Sequence, residues 1–481
     1  MKRKFYCFFL FLLFAVNGFC QQHNTSKNYI YPKDSAVSNK LHHWQDVKFG
    51  LLMHWGTYSQ WGVVESWSIC PEDEGWTQRR GPYADNYFEY LKAYENLQTT
   101  FNPTNFNPDR WAAAAKDAGM KYVVFTTKHH DGFCMFDTKQ TDYKVTSSKC
   151  PFSTNPKSNI AKEVFNAFRA DSFMIGAYFS KPDWHSNDYW WHYFPPKDRN
   201  VNYNPAKYPE RWNAFKTYSY NQIQELMSDY GKMDILWLDG GWVRPRKTVD
   251  STVDWQRSIT YNQDIDMPKI AAMARQHQPG LLVVDRTVSG EYENYVTPEQ
   301  SIPSTYLPYP WESCITMGDS WSYIPKEHFK SVNKLIHILT DVVSRNGNLL
   351  LNIAPGPDGD WHKDAYDTLQ SIGTWLKQNG EAIYDTKGDS IIGEQNNFVF
   401  THKPGVIYAI YRANEGETAL PSVQSIDNLK VGKVKTVTLL GERGRMIWRY
   451  DNNHLSIVVP QKVSSNPPGK NAWVFKITCE E

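Results

Sequence analysis

Met233-Asp234-Ile235-Leu236-Trp237-Leu238-Asp239-Gly240-Gly241-Trp242 decides how the rest of the chain is read. An apolar run ends in one carboxylate, Asp239, set directly on a glycine pair, which is how a strand buried on both faces delivers a side chain to a site. Alternation along the strand puts Trp237 and Asp239 on one side, so an aromatic plate and an acid face the same space. An apolar wall beside a carboxylate suits a sugar ring. A lone strand-end Asp also caps turns and helices, so the neighbouring segments have to decide between the two readings.

Outward from that run the same unit recurs. On the N-terminal side, a buried strand in Val47 to Gly56 ends at His54, and an irregular aromatic segment from Tyr58 to Trp76 follows it. A helix from Pro108 stopped by Gly119 feeds the strand Tyr122–Thr127, which runs into Lys128-His129-His130-Asp131-Gly132-Phe133. A helix from about Ser158 to Ala170 precedes the strand Met174–Ser180, and one from about Pro209 to Asp229 leads into the Asp239 strand. Beyond it, helices from about Pro268 to His277 and Lys326 to Ser344 precede the strands Leu281–Arg286 and Asn348–Ala354. Helix-then-strand units with polar residues at each strand's C-terminal end predict a TIM-like (β/α) barrel of seven or eight strands with its site at that rim. A doubly wound open sheet alternates the same way, but it gathers its site at one crevice and usually shows a Gly-rich phosphate loop, which this sequence lacks.

From about Gly380 the pattern becomes short strands between Gly, Asn and Pro turns: Asn397–Thr401, Val406–Tyr411, Val434–Leu440, Met446–Tyr450, Leu455–Val459 and Ala472–Thr478. That predicts a small all-β sandwich. The expected organisation is a signal peptide over 1–20, a polar lead over 21–40, the barrel over 41–380 and the sandwich over 381–481.

Composition is rich in aromatic residues and nearly balanced in charge. Of 481 residues 15% are aromatic, including 19 Trp and 29 Tyr, and such rings stack on sugar C–H faces as well as filling cores. The net charge of +1, with no long basic run, gives nothing to follow a phosphate backbone, so nucleic acid is not an expected partner. Met1-Lys2-Arg3-Lys4 followed by an apolar run to Val16 reads as an export signal, with a mature start near Gln21 and a periplasmic or secreted destination. Lipid anchoring at Cys20 ranks second, because Phe19 stands where a lipoprotein signal has a small residue. No later stretch is apolar and long enough to span a bilayer. The five remaining cysteines, Cys70, Cys134, Cys150, Cys314 and Cys479, are too few and too scattered for a disulfide framework or a zinc site, which leaves packing.

His54, Glu65, Trp67, His129, His130, Tyr178, Trp237, Asp239, Arg286 and Glu299 lie at or beyond different strand ends, which converge in a barrel. Sugar hydroxyls need donors and acceptors, ring faces need Trp or Tyr, and glycoside hydrolysis needs two carboxylates. A metal reading of His129, His130, His54, His185 and Asp239 finds no His-x-His or His-Glu-x-x-His spacing. Tandem histidines on an extended strand would point to opposite faces, so no metal or other cofactor is expected.

These blocks resemble a family. Phe49-Gly50-Leu51-Leu52-Met53-His54-Trp55-Gly56, Lys128-His129-His130-Asp131-Gly132-Phe133, Trp237-Leu238-Asp239-Gly240, Asp285-Arg286, Thr297-Pro298-Glu299 and Gly347-Asn348-Leu349-Leu350-Leu351-Asn352-Ile353-Ala354-Pro355 look like the landmarks of the α-L-fucosidases, glycoside hydrolase family 29. The resemblance implies a retaining exo-enzyme that releases terminal α-L-fucose from fucosylated glycans through a covalent intermediate. It puts Asp239 on the nucleophile, His54, His129 and His130 on fucose-hydroxyl ligands, Glu65 and Trp67 on loop contacts, and Trp237 and Arg286 on the pocket wall. Tyr178 matches a further pocket position. The acid/base lies among Glu291, Glu293, Glu299 and Glu312, with Glu299 first because it stands in Thr-Pro-Glu, and Glu312 second. The alternatives are a glycosidase for a related sugar such as α-L-galactose, or a carbohydrate-binding homologue without activity. Linkage preference and oligomeric state are not legible.

Overall fold

The structure is a computed structural model describing residue 26 and residues 28–71, 79–388 and 392–480. The expected signal peptide and Cys20 lie outside the described residues. The chain opens with α1 (Ser35–Val47), β1 (Phe49–Met53), α2 (Tyr87–Glu95), α3 (Pro108–Asp117), β2 (Tyr122–Lys128), α4 (Ile160–Ala170) and β3 (Met174–Ser180). It continues through α5 (Pro209–Asp229), β4 (Ile235–Asp239), α6 (Met267–His277), β5 (Leu282–Asp285), β6 (Glu312–Thr316), α7 (Val332–Ser344), β7 (Asn348–Asn352) and α8 (Lys363–Asn379).

The seven strands form one parallel sheet in the order β5-β4-β3-β2-β1-β7-β6. This is a curled barrel with a seam between β5 and β6. Residues 286–311 cover the seam through single bridges, Val284 to Glu293, Val296 to Trp311 and Glu299 to Cys314. Alternation sorts the side chains into two layers. Leu52, Tyr122, Val124, Tyr178, Ile235, Trp237, Val284, Cys314 and Leu350 belong to an interior cluster, whereas Leu51, Val123, Leu236, Leu238 and Leu351 face the helices. The barrel interior is a packed core with no pore.

Part of what was read as a polar lead is helix. α1 is capped by Asp34, whose side chain accepts from the backbone of Ala36 and Val37, and its Val37, Leu41 and Trp44 plug the floor of the barrel. Each fully buried side chain of this kind contributes roughly 1.5–3 kcal/mol. Trp44 stacks on Tyr295 at 3.9 Å. The i, i+4, i+7 spacing of those three residues was a signal the His- and Lys-rich composition masked. α7 begins at Val332, later than expected, because Ser331 caps it through its hydroxyl. β6 carries no apolar run, which is why sequence periodicity passes over it.

Past α8, β8 (Lys387–Gly388), β9 (Phe398–Lys403), β10 (Val406–Arg412), β11 (Val423–Ile426), β12 (Val434–Leu439), β13 (Ile447–Asp451), β14 (His454–Val458) and β15 (Ala472–Cys479) form two antiparallel sheets, β12-β15-β10-β9-β8 and β11-β14-β13. β8 and β11 are too short and polar to be read from periodicity. β10 and β15 face two ways: Ala409, Tyr411, Trp473, Phe475 and Ile477 fill the sandwich core, while Tyr408, Ile410 and Val474 join the core beneath the barrel helices. The indole of Trp375 in α8 donates to the Ala472 carbonyl at 2.8 Å across that interface.

Candidate active site

The strand ends converge on one pocket lined by Leu52, His54, Glu65, Trp67, His129, Trp237, Asp239, Arg286, Glu299, Cys314 and Trp321. β4 delivers Asp239 as its last residue. Gly240 then turns the chain at φ 85°, and a side chain there would run into the Pro182 ring, so glycine at this position releases the strand without displacing the carboxylate.

Asp239 is held on two sides. Its Oδ1 accepts from Arg286 Nη1 at 2.9 Å and its Oδ2 accepts from the Tyr178 hydroxyl at 2.7 Å. Burial alone would raise this acid, but the Arg286 charge, with the hydrogen bonds from the Tyr178 hydroxyl and the Gly240 backbone behind it, holds the carboxyl well below the usual range. The same guanidinium donates from Nη2 to Glu299 Oε2 at 2.8 Å, so one cation binds both carboxylates, and between them they keep it charged despite its burial. Glu299 comes from the seam segment and is locked beside β6 by its bridge to Cys314.

The histidines are neutral. Burial pushes His54 down to about 4 and His130 to about 3, and it takes His129 well below the ordinary imidazole value. Second contacts set the tautomers. The Asn352 amide donates to the Trp321 carbonyl at 2.8 Å, so its oxygen accepts from His54 Nδ1 at 2.9 Å and leaves His54 Nε2 as an acceptor. Ser180 donates to the Pro182 carbonyl at 2.7 Å, so its oxygen accepts from His130 Nδ1 at 2.7 Å, and His130 Nε2 faces Asp239 Oδ2 at 3.8 Å. His129 Nδ1 is tied to the Ser66 hydroxyl.

Two expectations need correction. His129 and His130 do not diverge: their ring centroids lie 4.1 Å apart and both serve the site. A register shift between Thr126 and Lys128 reverses the strand's parity, and β2 ends at Lys128, so both rings leave from a turn. His129, His130 and Asp239 consequently bring ligand atoms within 4.8 Å of one another. The environment does not suit a cation, because Asp239 already accepts from Arg286 and Tyr178, and the guanidinium charge stands where a metal would be repelled. The second correction is Glu312. It opens β6 inside the barrel, fully buried, accepting from Tyr122 and Trp237, and it does not line the pocket. Glu291 is exposed, and buried Glu293 accepts from the Thr287 backbone at 3.2 Å.

The structure therefore gathers His54, Glu65, Trp67, His129, His130, Tyr178, Trp237, Asp239, Arg286 and Glu299 around one carboxylate pair. Glu65 adds an unexpected property: burial, with Glu299 and Asp239 nearby, raises its acid well above the ordinary value, and its Oε1 has no protein hydrogen-bond partner. Trp321 and Asn352 were missed as site residues. Trp321 follows the unrecognised β6, and Asn352 looked like the end of an ordinary strand.

A model of the α-L-fucosidase family matches residues 17–381, and one of the α-L-fucosidase C-terminal domain matches residues 394–478. The chain belongs to the α-L-fucosidase family. Among its relatives, the tissue α-L-fucosidase of Homo sapiens is 29% identical over 463 residues, covering 92% of this chain and 90% of that protein. Among solved structures, α-L-fucosidase isoenzyme 1 from Paenibacillus thiaminolyticus superposes with a TM-score of 0.74 at 27% identity, covering 93% of this chain and all of that one. An α-fucosidase from Thermotoga maritima in complex with fucose gives a TM-score of 0.69 at 26% identity, over 90% of this chain and 96% of that chain. Membership accounts for the seven-stranded barrel joined to a β domain. Among the described residues no helix is long and apolar enough to cross a membrane.

Proposed function

We infer that this chain is a retaining exo-α-L-fucosidase in which Asp239 is the nucleophile and Glu299 the acid/base. The observation that carries the reading is the single Arg286 guanidinium bound to both carboxylates in a pocket walled by Trp237 and neutral histidines. Asp239, ionised across the working pH range, attacks C1 of the sugar. Glu299 gives its proton to the glycosidic oxygen as the C1–O bond breaks, and the aglycone departs neutral. Water then attacks C1, Glu299 takes its proton, the Asp239–C1 bond breaks, and fucose leaves with its anomeric configuration retained. Arg286 leaves both carboxylates free to exchange roles: neutralising Asp239 in the first step loosens its hold on the guanidinium, which then stabilises Glu299 as it becomes charged.

The remaining residues act on the sugar. His54 and His130 present Nε2 lone pairs to hydroxyls, Glu65 offers its buried carboxyl as a further hydroxyl partner, and the Trp237 and Trp67 faces cover the ring. Fucosylated glycans are the substrate class. A second reading rests on the raised acid of Glu65, which makes it a competing proton donor. Glu299→Gln and Glu65→Gln separate the two: the true acid/base variant loses most on glycans with poor leaving groups and keeps most of its turnover on activated aryl fucosides. Hydrolysis of an aryl α-L-fucoside, with the first-formed anomer read by NMR, tests the activity, and preference for the α-L-galactoside in a parallel panel would replace the substrate. The basic-then-apolar start supports export to the periplasm or outside, and a mature N-terminus near Gln21 in mass spectra is the expected result.

A further inference from the structure

Glu312 is an expensive residue in an unpromising place. It is the first residue of β6, fully buried, on the inward face two residues before Cys314, which lines the pocket; it therefore sits one layer beneath the pocket floor. Both of its partners are neutral: Oε1 accepts from the Trp237 indole N–H at 3.1 Å and Oε2 from the Tyr122 hydroxyl at 2.7 Å. Burial pushes its acid up to about 7 in spite of both hydrogen bonds and the Arg286 charge above. The interior cluster that holds its two partners, Tyr122 and Trp237, also contains Val284, Cys314 and Leu350, and in such surroundings an aliphatic side chain would be the ordinary choice.

What the carboxylate holds is the support of the nucleophile. Trp237 carries the Arg286 guanidinium 4.5 Å from its ring centroid and stacks on Tyr178 at 5.2 Å and 26°. Those two residues are the ones that bind Asp239, from opposite oxygens. Both ligands of the carboxylate thus rest on one indole, and the indole N–H is tied from below to Glu312.

We propose that Glu312 is a positioning residue which, by anchoring the Trp237 indole from beneath, fixes the plane on which Tyr178 and Arg286 rest and so the orientation of Asp239. The proposal rests on Asp239 being the nucleophile and extends the site one layer into the barrel. Glu312 touches no substrate. Its effect falls on kcat more than on binding, because His54, His129 and Glu65 hold the sugar from other strands and loops.

The test is a double-mutant cycle on an aryl α-L-fucoside, with fucose affinity and thermal unfolding measured for each protein. Glu312→Leu should lower kcat by about ten- to a hundredfold, the scale of a small misplacement of a reacting group, with fucose affinity changed by less than about threefold; Trp237→Phe should lower kcat over the same range and weaken fucose as well, because its ring also lines the pocket. The double variant should be no worse than the worse single one. Glu312→Gln should recover kcat to within about threefold of the parent, because its carbonyl accepts from the indole and its amide donates to Tyr122. Folded Glu312→Leu with unchanged kcat, losses that multiply in the double variant, or Glu312→Gln as poor as Glu312→Leu would each overturn the proposal. Should Glu312→Leu fail to fold, wild-type kcat in Trp237→Phe overturns it and rescue by Glu312→Gln sustains it. Asp239→Gly, measured alongside, separates the two levels: its inactivity keeps the nucleophile reading whatever Glu312 does, and its turnover removes that reading alone.

Discussion

The barrel strands run between two ends that treat a buried cation in opposite ways. At the C-terminal rim Arg286 is wholly buried yet meets two carboxylates, Asp239 and Glu299, and its charge is reinforced. At the N-terminal end of β1, Lys48 is equally buried, but its Nζ has no hydrogen-bond partner, and burial with the nearby Lys387 charge pushes its ammonium down to about 7. Removing a charge from water costs several kcal/mol, so it persists where partners surround it and is lost where they do not. The rim keeps paired charges because the reaction needs an ionised carboxylate. The floor keeps none of that need.

Breaking the rim should have the largest consequences. Asp239→Gly is expected to lower turnover of an aryl fucoside by at least about a thousandfold, since in the proposed mechanism it removes the atom that bonds to the sugar; near-normal turnover would take the role from Asp239. Glu299→Ala should cost about a hundred- to ten-thousandfold on natural glycans and less on aryl fucosides, with partial recovery in azide. Equal losses on every substrate would transfer the proton to another acid.

Arg286→Met sharpens the comparison from the electrostatic side. With the guanidinium gone, the Asp239 acid rises and stays protonated to higher pH, so the acid limb of the kcat/KM profile should move up by about 1–3 pH units. An unmoved limb would mean the pairing does not control the reacting carboxylate.

At the floor, Lys48→Met should leave activity intact and raise stability at neutral pH by roughly 1–3 kcal/mol, the scale of burying an unpartnered polar group. The sign with pH follows from the lowered value of about 7 against an ordinary 10.5. Between those limits the unfolded chain binds the extra proton, so parental stability rises with pH and the advantage of Lys48→Met shrinks across the same window. Denaturation midpoints at pH 7 and pH 10 would reveal it.

The same two ends show what a sequence exposes. Rim residues stand at the close of apolar runs, so His54, Asp239 and Arg286 were legible from periodicity, and the strand-helix alternation gave the barrel. Glu299 was harder, because it belongs to the seam between β5 and β6, where no regular element marks it. Glu312 stands second among the acid/base candidates in the sequence because nothing there marks β6 as a strand; its inward position appears only once Glu312 is paired with Asn348 at the start of β7. The joint service of His129 and His130 depended on a one-residue register shift that composition does not reveal. The upward shift at Glu65 and the downward shift at Lys48 come from burial, which a linear sequence states least well.

The most direct test of the account is to incubate the protein with a 2-fluoro-fucosyl fluoride and locate the label by peptide mass spectrometry. A single fucosyl adduct on the peptide containing Asp239, absent from Asp239→Gly, is the predicted result. Attachment to a peptide carrying Glu65, Glu299 or any other acid would contradict it.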